Sequence, residues 1–342
     1  QLVMCNCILK TSLPASLIGQ NGMMNQPQTL LTLMVFDVIF PLQKRELLMV
    51  VTCFLLFLSI VGNPSSLFAQ VHPGYEKFNL SSKDEAEILF VRGRYEEAIE
   101  KLKIVLKSEG ETSYVFRTML KSWKALSNLD SAENFFQDYQ ESHKDSSHIW
   151  YALGYLNYLK SYYQKAEMHF ERAVQLDPQN GLAWNNWAAI DSEKKEYKGA
   201  IEKVKRAIKI DSNEPIFIWN LHKIYQEMGE PIRFRLEYKD LLKKQSKELA
   251  WAYGKTLVRV IRQKAFRSYS KGELDNAILG FEDMLKIYQE IEDIKGQVPA
   301  LFSLGLLQEE KGNAQKAQEY FSRVLAINPN HIQARDMIKN VH

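Results

Sequence analysis

Between residues 79 and 331 the chain repeats one short pattern of apolar and polar positions instead of building toward a single long apolar stretch. Residues 147–180 read SHIWYALGYLNYLKSYYQKAEMHFERAVQLDPQN, and residues 181–214 read GLAWNNWAAIDSEKKEYKGAIEKVKRAIKIDSNE. Overlaid with a shift of 34, Trp150 falls on Trp184, Tyr163 on Tyr197, Ala166 on Ala200, Ala173 on Ala207 and Asp177 on Asp211. Each unit carries two runs of apolar residues at helical spacing, separated by a polar turn, and so predicts a pair of antiparallel helices. A fixed period of this size marks a stacked solenoid, in which every unit buries its apolar face against its neighbours.

Stepping the period along the chain sets units at 79–112, 113–146, 147–180, 181–214 and 215–248. Gly154, Ala188, Ala166 and Ala200 mark where the two helices of a pair cross closely, whereas Trp150, Trp184, Phe170 and Val204 are expected to fill the space between pairs. In the second unit Ser127 replaces the turn glycine. In the fifth, Phe234 stands where a small alanine is expected, which predicts a wider crossing. Register then slips. Residues 249–257 extend a first helix to about Tyr269, residues 292–297 lengthen the following hairpin, and 249–297 is read as one enlarged unit. Regular spacing returns in 298–331, and 332–342 reads as a capping helix.

The order Trp150, Leu153, Gly154, Tyr163, Ala166, Phe170, Ala173, Pro178 resembles the tetratricopeptide repeat (TPR) family. The resemblance implies an all-α, right-handed superhelical solenoid of about seven units, acting as a non-catalytic scaffold for protein–protein interaction. It further implies that the first helix of each pair lines a concave groove through fixed positions of the unit. Carried onto this chain, those positions give the candidate partner-binding residues Arg117, Lys121 and Lys124, then Tyr151, Tyr155 and Tyr158, then Asn185, Trp219, Lys223, Arg259 and Arg262. An aromatic middle flanked by basic residues suits a protein or peptide segment with apolar anchors and acidic flanks. The carboxylate clamp of chaperone-adaptor TPRs is not reproduced, because Ala189 stands where a second asparagine is needed beside Asn185.

Charge narrows the function further. Lys and Arg total 44 against 41 Asp and Glu, and a net charge of +3 argues against a surface built for nucleic acid. One local stripe stands out, since Lys255, Arg259 and Arg262 share a face of the long helix and no acidic residue lies between Glu248 and Glu273. That stripe reads either as an anion-binding surface or as a solvated face balanced by Glu290, Glu292 and Asp293. No metalloprotease, nucleophile-elbow, phosphate-loop or dinucleotide motif is present, so neither an enzyme nor a bound metal or cofactor is expected. All three cysteines lie before residue 54, outside the repeats.

Ahead of the repeats, Lys44 and Arg45 precede an uncharged apolar run at 47–61, and small residues lead to Ala69. Residues 44–69 read as a secretory signal peptide or a membrane segment, 70–78 as a linker, and 1–43 as an unstructured or upstream extension. The expected setting is an exported one, most simply a bacterial periplasm or envelope. The competing reading is a structural or assembly component of the envelope, tethered through 47–61.

Overall fold

The structure, a computed structural model, describes residues 81–340; the extension, the apolar run and the linker fall outside them. Fifteen α-helices and no strand occupy the described residues. They form an all-α solenoid of seven antiparallel pairs and one terminal helix. The pairs are α1 Ser82–Val91 with α2 Tyr95–Ser108, α3 Ser113–Ala125 with α4 Leu129–Ser142, α5 Ser147–Leu159 with α6 Tyr163–Leu176, and α7 Gly181–Glu193 with α8 Tyr197–Ile210. After them come α9 Pro215–Glu227 with α10 Pro231–Lys243, α11 Lys247–Ser270 with α12 Leu274–Glu290, α13 Ile294–Glu310 with α14 Ala314–Ile327, and finally α15 Ile332–Asn340.

Two backbone devices recur with the sequence period. Thr112, Ser146, Asn180 and Glu214 each precede a first helix and accept a backbone N–H of its first turn, capping donors that the helix itself cannot satisfy. At the turn inside each pair, Gly93, Ser127, Ser161, Lys195, Gly229, Gly272 and Gly312 all take positive φ, between 55° and 83°. Glycine adopts that conformation freely, while Ser127, Ser161 and Lys195 hold it against the steric cost of a Cβ. The turn is therefore set by the stacking of the helices it joins, even where the glycine is missing.

Packing repeats as well. Ala98, Ala132, Ala166, Ala200, Ala277 and Ala317 are fully buried at the crossings, and Phe136, Phe170, Phe281 and Phe321 lie beneath them at 2% exposure or less. A Cβ added to Gly154 would stand 2.6 Å from the Phe170 ring, so only glycine admits that ring at this crossing. Trp150 and Trp184 differ from the expectation. Both stay half-buried, their indole N–H groups donating to the carbonyls of Lys144 at 2.7 Å and Pro178 at 3.1 Å. The indole N–H needs an acceptor, and the loop carbonyl six residues upstream holds the ring at the edge of the stack.

In the fifth pair both small positions are large. His222 meets Phe234 edge-on with ring centroids 5.1 Å apart, and Phe234 stacks on Tyr253 of α11 at 4.6 Å. This aromatic wedge takes the place of a close crossing, and polar contacts hold α10 to its neighbours. The Tyr225 and Tyr253 hydroxyls donate to Glu237 at 2.6 and 3.2 Å, Tyr238 donates to Glu290 at 2.9 Å, and Arg235 forms a two-pronged pair with Asp283. A cleft of about 610 Å³ opens beside α10, floored by Ile208, Leu241 and Leu249.

The inserted residues enter helices. α11 runs through Gly254 without a break, and α12 and α13 reach 17 residues each. Residues 292–297 lengthen the hairpin through its helix and not its loop: Asp293 caps α13 by accepting from Gly296 N at 2.9 Å, and the following residues form the first turn of that helix, ahead of Pro299.

A cupped concave site between the second and fifth pairs

The first helices α3, α5, α7 and α9 line the inside of the curve, and their N-terminal ends converge. Asn180, 6% exposed, donates to Ser113 Oγ at 2.9 Å and to Ser147 Oγ at 2.8 Å, and Ser147 in turn donates to the Ala173 carbonyl at 2.8 Å. Ser113 also hydrogen-bonds His148 Nδ1 at 3.0 Å. Further across the curve, Arg117 of α3 reaches Glu214, the cap of α9, at 4.0 Å. Contact between residues 97 apart in sequence means that the solenoid curls enough for the second and fifth pairs to face each other.

Inside this curl lies a cavity of about 190 Å³. Helix α3 supplies Arg117 and Lys121, and α5 supplies Tyr155 and Tyr158. Asn185, Asn186, Ala189 and Ser192 come from α7; Ile216, Asn220, Lys223, Ile224 and Glu227 come from α9. One wall is a hydrogen-bonded chain: Asn220 donates to Asn185 at 2.9 Å, Asn185 to Asn186 at 3.0 Å, and Asn186 to the Tyr151 hydroxyl at 3.4 Å. The opposite end is closed by Glu227, which accepts from Ser192 at 2.6 Å and pairs with Lys223 at 3.1 Å.

The charges at the two ends differ in how well they are met. Burial opposes the Lys223 ammonium, yet its hydrogen bond to Glu227 leaves it above the ordinary lysine value. Lys121 is driven the other way: burial first, then the adjacent Arg117 guanidinium, brings its amine down to about 8 against the partial support of Glu214. Burial pushes the Tyr155 and Tyr158 hydroxyls up, so both remain protonated donors at neutral pH. The cup is thus apolar and aromatic along its sides, amide-lined on one wall, and cationic at the α3 end.

Of the residues expected in the groove, Arg117, Lys121, Tyr155, Tyr158, Asn185 and Lys223 share this cavity. Tyr151 does not present a surface: it is fully buried against Phe170, because the curl turns its position into the space between pairs, and only its hydroxyl touches the polar wall. Lys124 is exposed and stands outside the cavity lining, one turn of α3 beyond Lys121. Trp219, Arg259 and Arg262 sit farther along. Arg259 lies over the Trp219 ring at 4.4 Å, with its Nε buried and unpartnered, while Arg262 lies close enough to Tyr288 to influence its hydroxyl. The basic stripe is partly neutralised at Lys255, which pairs with Asp293 at 2.7 Å between the Trp251 and Tyr288 rings.

The groove positions drawn from the family pattern missed Asn186, Asn220 and Ile224. A signal existed, since Asn186 and Asn220 are themselves separated by one period of 34. Among the described residues no group of three or more His, Cys, Asp and Glu is arranged to hold a metal ion, and no helix is long and apolar enough to cross a membrane.

Tetratricopeptide repeat models match residues 147–180 and 298–331. Among solved structures, the chain is similar to one in the APC/C hetero-tetramer Cut9–Hcn1, with 17% identity over 76% of this chain and 55% of that one and a TM-score of 0.42. It thus spans little more than half of that chain's length. The C-terminal part of a TPR repeat-containing protein from Cytophaga hutchinsonii matches at 16% identity over 74% of this chain and 98% of that one, with a TM-score of 0.37. YrrB, described as a TPR protein with an unusual peptide-binding site, matches at 18% identity over 60% of this chain and 97% of that one, with a TM-score of 0.30.

Proposed function

We propose that the protein is a non-catalytic scaffold that holds a segment of a partner protein against its concave face, with the cup between α3 and α9 as the anchoring point. The observation that carries this reading is the convergence of four successive first helices on one cavity lined by aromatic side chains, amides and cations. Tyrosines at such a site give contact area at little cost in rotamer entropy, and a ring of amides offers donors and acceptors to a peptide backbone. A volume of about 190 Å³ suits one or two side chains, so the partner inserts an anchor while its flanks run along the curve.

The test is a selection of displayed random peptides on the full chain. Binding is then measured on Ala189→Cys protein capped with N-ethylmaleimide after folding, with wild type treated in parallel because of Cys5, Cys7 and Cys53. Ala189 lines the cup, so capping is expected to weaken the selected peptides at least tenfold. Peptides that bind capped and uncapped protein equally would overturn the assignment.

We further infer, from Lys44, Arg45 and the apolar run at 47–61, that the scaffold works after export. Protein recovered from its native host is expected to begin at Gln70; an intact N-terminal segment in the membrane fraction would favour the tethered reading instead.

A further inference from the structure

Arg117 and Lys121 lie one turn apart on α3 and both line the cup, so two cations share one face of a confined space. Other lysines in this half of the solenoid sit against carboxylates: Lys160 meets Asp130 and Glu133, Lys203 meets Asp191, and Lys223 meets Glu227. Lys121 forms no ion pair with any described residue. The acid nearest the pair, Glu214, stands 4.0 Å from Arg117 and is already committed to capping α9 through Ile216 N at 3.2 Å. A partly buried cation held beside a second cation is costly unless an anion arrives to meet both.

Resting on the scaffold reading above, we propose that Arg117 and Lys121 form a receptor for one carboxylate, supplied by an aspartate or glutamate side chain within the bound segment. Charge counting selects the class of anion. Arg117 and Lys121 together with Glu214 leave one positive charge, which a carboxylate neutralises; a phosphate dianion would overshoot beside Glu214. The protonated hydroxyls of Tyr155 and Tyr158 line the same cavity and supply further donors to the incoming oxygens. Lys223 does not compete for the anion, because Glu227 already holds it at 3.1 Å.

Peptides recovered by the selection are resynthesised in three forms: with their acidic residue, with the matching amide (Glu→Gln or Asp→Asn), and with an amidated C-terminus. Each is titrated against wild type, Lys121→Met and Arg117→Gln. The amide form is expected to bind wild type at least tenfold more weakly but to lose less than twofold on either variant, while C-terminal amidation changes nothing. The Lys121 amine, followed by NMR, is expected to titrate at higher pH once the acidic peptide is bound and not with the amide form, a response that a merely structural lysine would not give. Equal losses on wild type and variants, or selected peptides without an acidic residue, would overturn the receptor. Sensitivity confined to the C-terminal carboxylate would overturn its assignment to a side chain. If capping at position 189 displaces the peptides while these comparisons fail, the scaffold reading stands and the carboxylate receptor falls; if capping has no effect, both fall.

Discussion

The Asn220 side chain donates to the Asn185 side-chain oxygen at 2.9 Å, linking α9 to α7 across a separation of 35 residues. The same separation joins Ser113 to His148, Asn186 to Tyr151 and Ser192 to Glu227. Neighbouring first helices are thus offset by one residue relative to the 34-residue sequence period, and polar pairs at that offset connect one pair of helices to the next.

Asn185 is 1% exposed, so its side-chain oxygen depends on Asn220. Asn220→Ala is expected to destabilise the protein by about 1–3 kcal/mol, the cost of leaving a buried acceptor without a partner. A lowered urea midpoint with an unchanged slope is the expected result.

Phe234 occupies a position that is alanine in most other pairs, yet Phe234→Ala is expected to destabilise. The ring is fully buried between His222 and Tyr253, and neither can collapse into the vacated space without dragging α10 from its contacts. A loss of about 3–5 kcal/mol follows from the cavity and the lost burial. Thermal unfolding should show it clearly, and a neutral outcome would mean that α10 can close onto α9 as the helices of other pairs do.

Lys195 holds φ at 64° in the turn after α7, where the other six pairs carry serine or glycine, as at Gly229 with φ 83°. Its side chain is exposed, so little is lost on its removal. Lys195→Gly is expected to stabilise by about 0.5–1 kcal/mol, the relief of left-handed strain exceeding the entropy given to the unfolded chain. Calorimetry on the pair of proteins checks this.

Lys121→Met removes a partly buried cation from beside Arg117 and is expected to raise stability by about 1 kcal/mol at pH 7, even as it weakens acidic peptides. The sign follows from the titration: the folded amine loses its proton near pH 8, below the ordinary lysine value of 10.5. The gain is therefore full below pH 8 and shrinks as pH rises toward the unfolded value. Denaturation midpoints at pH 7 and pH 10 separate the two regimes.

Burial lowers the His222 imidazole below its ordinary value of 6.5. Gln226, Trp219 and Phe234 surround it, and none of them offers a charge to support the imidazolium. Below pH 6.5 the unfolded chain binds the proton that the folded chain resists, so stability falls as the pH drops through this window. Burial lowers His169 and His331 in the same direction. The urea midpoint is expected to decline from pH 7 to pH 5, less steeply in His222→Gln.

Much of this was legible before any coordinates. Apolar spacing and the small residues at crossings follow the period, because each depends on contacts within a pair or with the adjacent one. The caps at Thr112, Ser146, Asn180 and Glu214 recur with it too, but four different residue types fill that place and only the structure identifies them. Of the eleven residues read as groove positions, Arg117, Lys121, Tyr155, Tyr158, Asn185 and Lys223 line one cavity, while Lys124, Tyr151, Trp219, Arg259 and Arg262 do not. The places of Tyr151 and Asn220 were not legible, since whether a residue at the edge of a helix face looks inward or into the core depends on how each pair is rotated against the next. That rotation leaves no mark in the period.

By itself, then, the chain's sequence determined that it would be helical and how its helices pair. Tertiary structure alone decided how tightly the solenoid curls, because curvature is the sum of small rotations set by side-chain volumes at every interface. That curl brings Arg117 to Glu214 and gathers four first helices around a single cup, leaving Lys121 beside Arg117 without an ion-pair partner of its own.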